Sequence, residues 1–157
     1  MDVLAAKVGG ALKAHGMMLT TAESCTGGGI AQAVTRVAGS SAWFERGFVT
    51  YSNLSKQQML GVQEATLIAY GAVSEAVVRE MAEGALRNST AQLALAVSGI
   101  AGPGGGTPAK PVGTVWVAFA VRDPAGTRTQ AVESHFGGDR EQIRRMAVHR
   151  ALAGLLD

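Results

Sequence analysis

The stretch Thr20-Thr21-Ala22-Glu23-Ser24-Cys25-Thr26-Gly27-Gly28-Gly29 joins two periodicities. Before it, Met17 to Thr21 is a short apolar, β-capable run; after it, Ile30, Val34 and Val37 recur at helical spacing until Gly39. A strand is therefore expected to turn sharply into a helix, with the helix starting near Cys25 and Thr26. At such a start the first backbone N–H groups lack internal partners and carry the positive end of the helix dipole, which favours anything negative. Ser24, Cys25 and Thr26 put nucleophile-capable or hydrogen-bonding side chains there, and Gly27 and Gly28 let a ligand approach the backbone closely. The turn is a candidate active site.

Working outward, the same strand–helix alternation recurs. Asp2 to His15 carries Leu4, Val8 and Leu12 on one helical face, closed by Gly16. Gly47 to Ser52 reads as a second strand, followed by a helix over Asn53 to Leu60 with Asn53 as N-cap and Gly61 as stop. Gln63 to Tyr70 forms a short helix, and Ser74 caps a longer one through Val77, Val78, Met81 and Leu86. Leu93 to Val97 is continuously apolar, as a strand covered on both faces must be. Ser98 to Pro111 is too rich in Gly and Pro for regular structure, and a loop this long is usually functional. Val112 to Val121 and Thr127 to Phe136 flank the turn Asp123-Pro124-Ala125-Gly126 and form an antiparallel hairpin. Asp139 and Gln142 stand at capping-box spacing before a last helix buried through Ile143, Met146 and Leu152. The expected fold class is α/β: one domain over residues 1–157, a three-layer α/β/α sandwich with a mixed, mostly parallel sheet. Ligands in such sheets sit beyond the carboxyl ends of the strands, so Ser24 to Gly28, Tyr51 to Lys56 and Ser98 to Thr107 converge on one pocket.

Composition narrows the partners. With 47% apolar and 17% charged residues the chain is ordinary soluble material, and no apolar run approaches a membrane span. A cytoplasmic location is expected, with no membrane partner. One cysteine forms no internal disulfide, and three scattered histidines give no metal-ligand spacing. A net charge of +2 is too small for a nucleic-acid surface, and the one basic cluster is Arg140, Arg144 and Arg145. Arg140 and Arg144 lie one turn apart at a helix start, where cations are disfavoured unless an anion binds. Lys56, also near a helix start, would ordinarily be a solvated surface residue. Cys25, with no histidine beside it, reads as a small buried thiol rather than a nucleophile.

Six motifs carry a resemblance: Thr21 to Gly28, Gly39 to Phe44, Gly47 to Ser52 with Asn53 and Lys56, Gly71 to Ser74, Ser98 to Pro103, and Lys110 to Val115. In this order they resemble the CinA C-terminal domain family over nearly the whole chain, and most of all its stand-alone nicotinamide-nucleotide amidases. The longer relatives carry an additional N-terminal domain for which this chain has no room. One departure is Gly104-Gly105-Gly106, where relatives often place a polar residue after the Gly-Pro.

The resemblance implies hydrolysis of the carboxamide of nicotinamide mononucleotide to nicotinate mononucleotide and ammonia. It also implies a serine–lysine mechanism with no metal or organic cofactor, and a homodimer or higher homo-oligomer. On these residues Ser24 attacks the amide carbon, Lys56 is the base and Tyr51 relays or orients the proton. Ser41 is the rival nucleophile, but it precedes its strand and starts at the opposite edge of the sheet. The Cys25 and Thr26 N–H groups would hold the oxyanion. Gly27 and Gly28 with Ser98, Gly99, Gly102, Gly104, Gly105 and Thr107 would line or close over the substrate, and Arg140 and Arg144 would take its phosphate. For Lys56 to act as a base near neutral pH its pKa must fall roughly three pH units below its ordinary value, a cost of about 4 kcal/mol that burial or positive neighbours can impose. Two other readings fit the residues: a catalytically silent nucleotide-binding module, and an amidohydrolase for another carboxamide.

Overall fold

The first two β-runs of the sequence are each followed by helix, and the last three stand in succession before a final helix. The computed structural model describes residues 1–157. In chain order the elements are α1 (Asp2–Ala14), β1 (Leu19–Glu23), α2 (Gly29–Thr35), a 3-10 turn (Ser40–Ala42) and β2 (Phe44–Val49). Three helices follow, α3 (Asn53–Leu60), α4 (Glu64–Tyr70) and α5 (Glu75–Arg87), and then β3 (Leu93–Gly99), the hairpin β4 (Thr114–Asp123) and β5 (Gly126–His135), and α6 (Arg140–Gly154). The strands form one sheet in the order β2-β1-β3-β4-β5. β1 runs parallel to both β2 and β3, while β4 and β5 are antiparallel. The mixed α/β/α sandwich expected from the sequence is the architecture observed.

Alternation along β3 decides the two cores. Leu93, Leu95 and Val97 point into the layer of α1, α2 and α6, where Val8, Ile30, Val34, Ile143 and Leu152 close around them. Ala94 and Ala96 point the other way and, with Ala22, Ala118 and Ala120, form a floor of small side chains beneath α5. Small residues let α5 lie close to the sheet, and its Val77, Val78 and Met81 fill the space. Gly84 of α5 in turn meets the carbonyl of Leu60 at the end of α3 so tightly that no Cβ would fit.

Local signals set most element ends. Ser74 accepts from the Val77 N–H, and Asp139 and Gln142 form the expected capping box. Other boundaries differ. β1 begins at Leu19 rather than Met17, and β3 continues to Gly99. The cap of α3 is Ser52, boxed with Ser55, and Asn53 is the first helical residue instead. The largest correction concerns the turn after β1. Gly27 and Gly28 take positive φ values of 58° and 101°, which delays α2 until Gly29. Cys25 and Thr26 thus belong to a tight turn and not to the helix start. No helix is long and apolar enough to cross a membrane.

Candidate active site

Three segments leave the carboxyl ends of the parallel strands side by side. Ser24 follows β1, Thr50 and Tyr51 follow β2 and lead into α3, and Ser98 and Gly99 end β3. The Ser24 N–H bonds to the Val97 carbonyl, extending the ladder by one residue and fixing where the turn starts. Between these ends and the N-terminus of α6 lies a cavity of about 300 Å³.

Lys56 points into its floor. The residue is 1% exposed and faces no carboxylate; Nζ lies 3.0 Å from Ser24 Oγ, 3.0 Å from the Thr50 carbonyl oxygen and 3.4 Å from that of Tyr51. Burial pushes its pKa below the ordinary 10.5. A neutral amine has two N–H groups and one lone pair, matching two carbonyls and one hydroxyl proton. The Lys56 ammonium would instead donate to all three oxygens. The pair can therefore pass one proton between Ser24 and Lys56 without moving any heavy atom. Ser24 is 8% exposed, which leaves its hydroxyl reachable from the cavity. Cys25 lines the same cavity, but burial pushes its thiol up to about 11, so it stays protonated at neutral pH.

The other expected site residues divide into two groups. Ser98, Gly99, Gly102, Gly104, Gly105, Tyr51 and Arg140 all line the cavity. Ser98 Oγ donates to the Ala72 carbonyl at 2.9 Å, tying the loop before α5 to the site. The Tyr51 side chain is 61% exposed and its hydroxyl accepts from Arg140 at 3.0 Å, so the phenol sits with the arginine and only the main-chain carbonyl meets Lys56. Arg140 also donates to the Gly102 carbonyl at 2.8 Å, joining the glycine-rich loop to Tyr51.

Four expected substrate contacts lie elsewhere, and so does Ser41. The Thr26 side chain is also turned away, buried behind the turn with its hydroxyl on Glu23 Oε1 at 2.6 Å. Gly27, Gly28 and Thr107 do not reach the cavity. Arg144 faces away from it, donating to the carbonyls of Cys25 and Thr26 at 3.0 and 3.3 Å. Ser41 is exposed in the 3-10 turn before β2, at the opposite end of the sheet from Lys56, because β1 and β2 run parallel.

Glu23 is the residue whose part the sequence reading missed. It is 1% exposed, and its carboxylate accepts from Thr26 Oγ1 and from the N–H groups of Ile30 and Ala31 at 2.8 and 3.0 Å. The positive end of α2 is thus neutralised by Glu23 and is not offered to a ligand. An acid directly before a glycine-rich turn is the one signal that pointed to it. Asn53 and Val73 also line the cavity; Asn53 shares a face of α3 with Lys56, three residues on, a spacing visible in the sequence.

The molecule is an α/β sandwich in which a buried lysine meets a serine at the carboxyl edge of the parallel strands, where a cavity opens. The chain belongs to the CinA C-terminal domain family, whose profile matches residues 1–157. Nicotinamide-nucleotide amidohydrolase PncC of Escherichia coli K12 is 58% identical over 153 residues, 97% of this chain and 90% of the relative. The protein of the same name from Pseudomonas putida is 55% identical over 156 residues, 99% of this chain and 95% of the relative. Among solved structures, the competence/damage inducible protein CihA of Agrobacterium tumefaciens superposes with a TM-score of 0.94 at 47% identity, covering 99% of this chain and 93% of that one.

Proposed function

We propose that this chain is a nicotinamide-nucleotide amidohydrolase, cytoplasmic and homo-oligomeric, which converts nicotinamide mononucleotide and water to nicotinate mononucleotide and ammonia. The observation that carries this reading is the buried Lys56 amine, without a counter-charge, 3.0 Å from Ser24 Oγ at the floor of an open cavity. The relatives' name supplies the substrate.

In this reading neutral Lys56 takes the Ser24 proton as Oγ bonds to the carboxamide carbon. The carbonyl π electrons move to oxygen, and the N–H groups of Cys25 and Thr26, which have no partner within the protein, receive the oxyanion. As the tetrahedral centre collapses, the C–N bond breaks and the Lys56 ammonium protonates the departing nitrogen, releasing ammonia and leaving an ester on Ser24. Water then attacks that ester while Lys56 takes its proton. The C–Oγ bond breaks, Lys56 returns the proton to Ser24, and the product leaves as the acid, which gives its remaining proton to solvent to become the carboxylate. The cationic pyridinium helps twice, withdrawing electrons from the carboxamide and disfavouring a second positive charge on Lys56. Arg140, a guanidinium lining the same cavity, takes the phosphate in this reading.

The direct test is ammonia release from nicotinamide mononucleotide, with chelator present, by the wild type and by folded Ser24→Ala, Ser41→Ala and Lys56→Ala. Loss of activity in the Ser24 and Lys56 variants with Ser41→Ala still active supports the mechanism. A Ser41 variant that is dead while Ser24→Ala works moves the nucleophile, and a wild type that binds the nucleotide but releases no ammonia makes the chain a binding module. Light scattering reads the oligomeric state.

A further inference from the structure

Arg144 is conspicuous because it meets no acid. Its guanidinium reaches from the second turn of α6 across 119 residues of sequence to the Cys25 carbonyl, with Nε donating at 3.0 Å, and Nη2 donates to the Thr26 carbonyl at 3.3 Å. A trans peptide unit is rigid and planar, with its N–H pointing opposite to its C=O. Holding a carbonyl therefore aims the N–H of the next residue. Among the N–H groups of the turn that have no partner, those of Cys25 and Thr26 both belong to peptide units whose carbonyls are held in this way. The Ser24 carbonyl, in the same unit as the Cys25 N–H, accepts from the Gly27 N–H at 3.0 Å. The Cys25 carbonyl, in the same unit as the Thr26 N–H, accepts from Arg144. On the inner side the Thr26 hydroxyl is tied to Glu23. The turn is thus clamped by Glu23 at the end of β1 and by Arg144 of α6, and only the α6 clamp acts directly on one of the peptide units that bear the free donors.

We propose that Arg144 is a positioning residue: by gripping the Cys25 and Thr26 carbonyls from behind, it fixes the Thr26 N–H as an oxyanion donor beside Ser24. This inference rests on the amidase reading and replaces the phosphate contact expected for Arg144. An arginine that binds phosphate contributes equally to ground state and transition state, whereas one that aims an oxyanion donor acts only when charge has moved onto oxygen.

The test is steady-state kinetics of ammonia release from nicotinamide mononucleotide for wild type, Arg144→Gln and Arg144→Lys, with melting curves on the same preparations. Positioning predicts that kcat falls about 10- to 100-fold in Arg144→Gln with KM within about threefold, and that Arg144→Lys, which retains the charge and one donor, falls between. If Arg144→Gln does not fold, Arg144→Lys is judged by the same kcat-against-KM split. A rise in KM at unchanged kcat overturns the inference in favour of phosphate binding, and unchanged kcat and KM overturn it outright, both leaving the amidase reading intact. A wild type that releases no ammonia removes that reading and this inference together.

Discussion

Lys56, the base of the proposed mechanism, is also a burden on the fold. The side chain is buried without an opposite charge, and burial lowers its pKa below 10.5. Below its folded-state pKa the lysine is protonated in both states, and the cost of burying the charge is constant. Between that pKa and 10.5 the unfolded chain binds the extra proton, so stability rises with pH across this window. Above 10.5 the amine is neutral in both states and the penalty is gone. Lys56→Met is therefore expected to melt higher than wild type at neutral pH, with the difference shrinking through this window; melting curves over a pH series check it. The same variant should lose about a thousandfold or more in kcat, the usual scale for removing a general base. In the wild type, kcat should climb with pH through the Lys56 pKa of the substrate complex, since the neutral amine is the working form. A flat profile from neutral to alkaline pH would set that pKa below the range and require measurement at acid pH, where the limb must appear.

α2 follows the Ser24 turn and α3 carries Lys56, and each depends on one contact that sequence spacing does not advertise. α2 is capped by Glu23, five residues upstream of the Gly28 cap position, because the positive-φ glycines fold the turn back over the carboxylate. Glu23→Gln retains one acceptor oxygen for three donors, so a loss of about 1–3 kcal/mol is expected by chemical denaturation, together with reduced activity from a loosened Ser24 turn. α3 presents Lys56, and its end is pressed against α5 at Gly84, where a methyl group would overlap the Leu60 carbonyl. Gly84→Ala should raise local helix propensity yet destabilise the protein by about 1–3 kcal/mol, the cost of overpacking, because α5 must lift from α3. A stability gain in that variant would mean the contact relaxes freely. Both variants separate helix chemistry from helix placement, since each leaves Ser24 and Lys56 untouched.

At the scale of the whole molecule the cavity joins segments that are far apart in the chain: the ends of β1 and β3, the start of α3 and the first turn of α6. A ligand that bridges them stabilises all of them at once, because the unfolded chain has no such site. Product nicotinate mononucleotide at about one hundred times its Kd should add about 2.7 kcal/mol, a rise in Tm of roughly 5–10 °C for a domain of this size. Thermal shift against nucleotide concentration measures it, with nicotinamide alone as the comparison that omits the phosphate. No shift at saturating nucleotide, judged by an independent binding measurement, would mean that binding does not tie these segments together. The floor of alanines under α5 has the same global character: it sets how close α5, and α3 packed on it, lie to the sheet, although none of those alanines lines the cavity.

What the sequence determined by itself is what short-range interactions decide. The Ser74 cap, the Asp139–Gln142 box, the hairpin turn at Asp123 to Gly126 and the apolar periodicities each involve residues within a few positions of one another, and all stand in the structure. The convergence of three strand ends also followed, since parallel strands joined by helices must end on one side. Only the tertiary structure decided which side chains meet there. Lys56 looked like a surface residue until α5 and the sheet buried it, and Arg144 looked like a phosphate ligand until α6 was laid against the Ser24 turn. Gly27, Gly28 and Thr107 read as cavity residues because glycine-rich loops are permissive, and permissiveness does not say which way a loop folds. Glu23 could be seen as an acid at a strand end, but its partners Ile30 and Ala31 exist only once two positive-φ glycines have turned the chain. Spacing records the period of an element, whereas burial and long-range hydrogen bonds depend on how finished elements pack, and no local pattern encodes that.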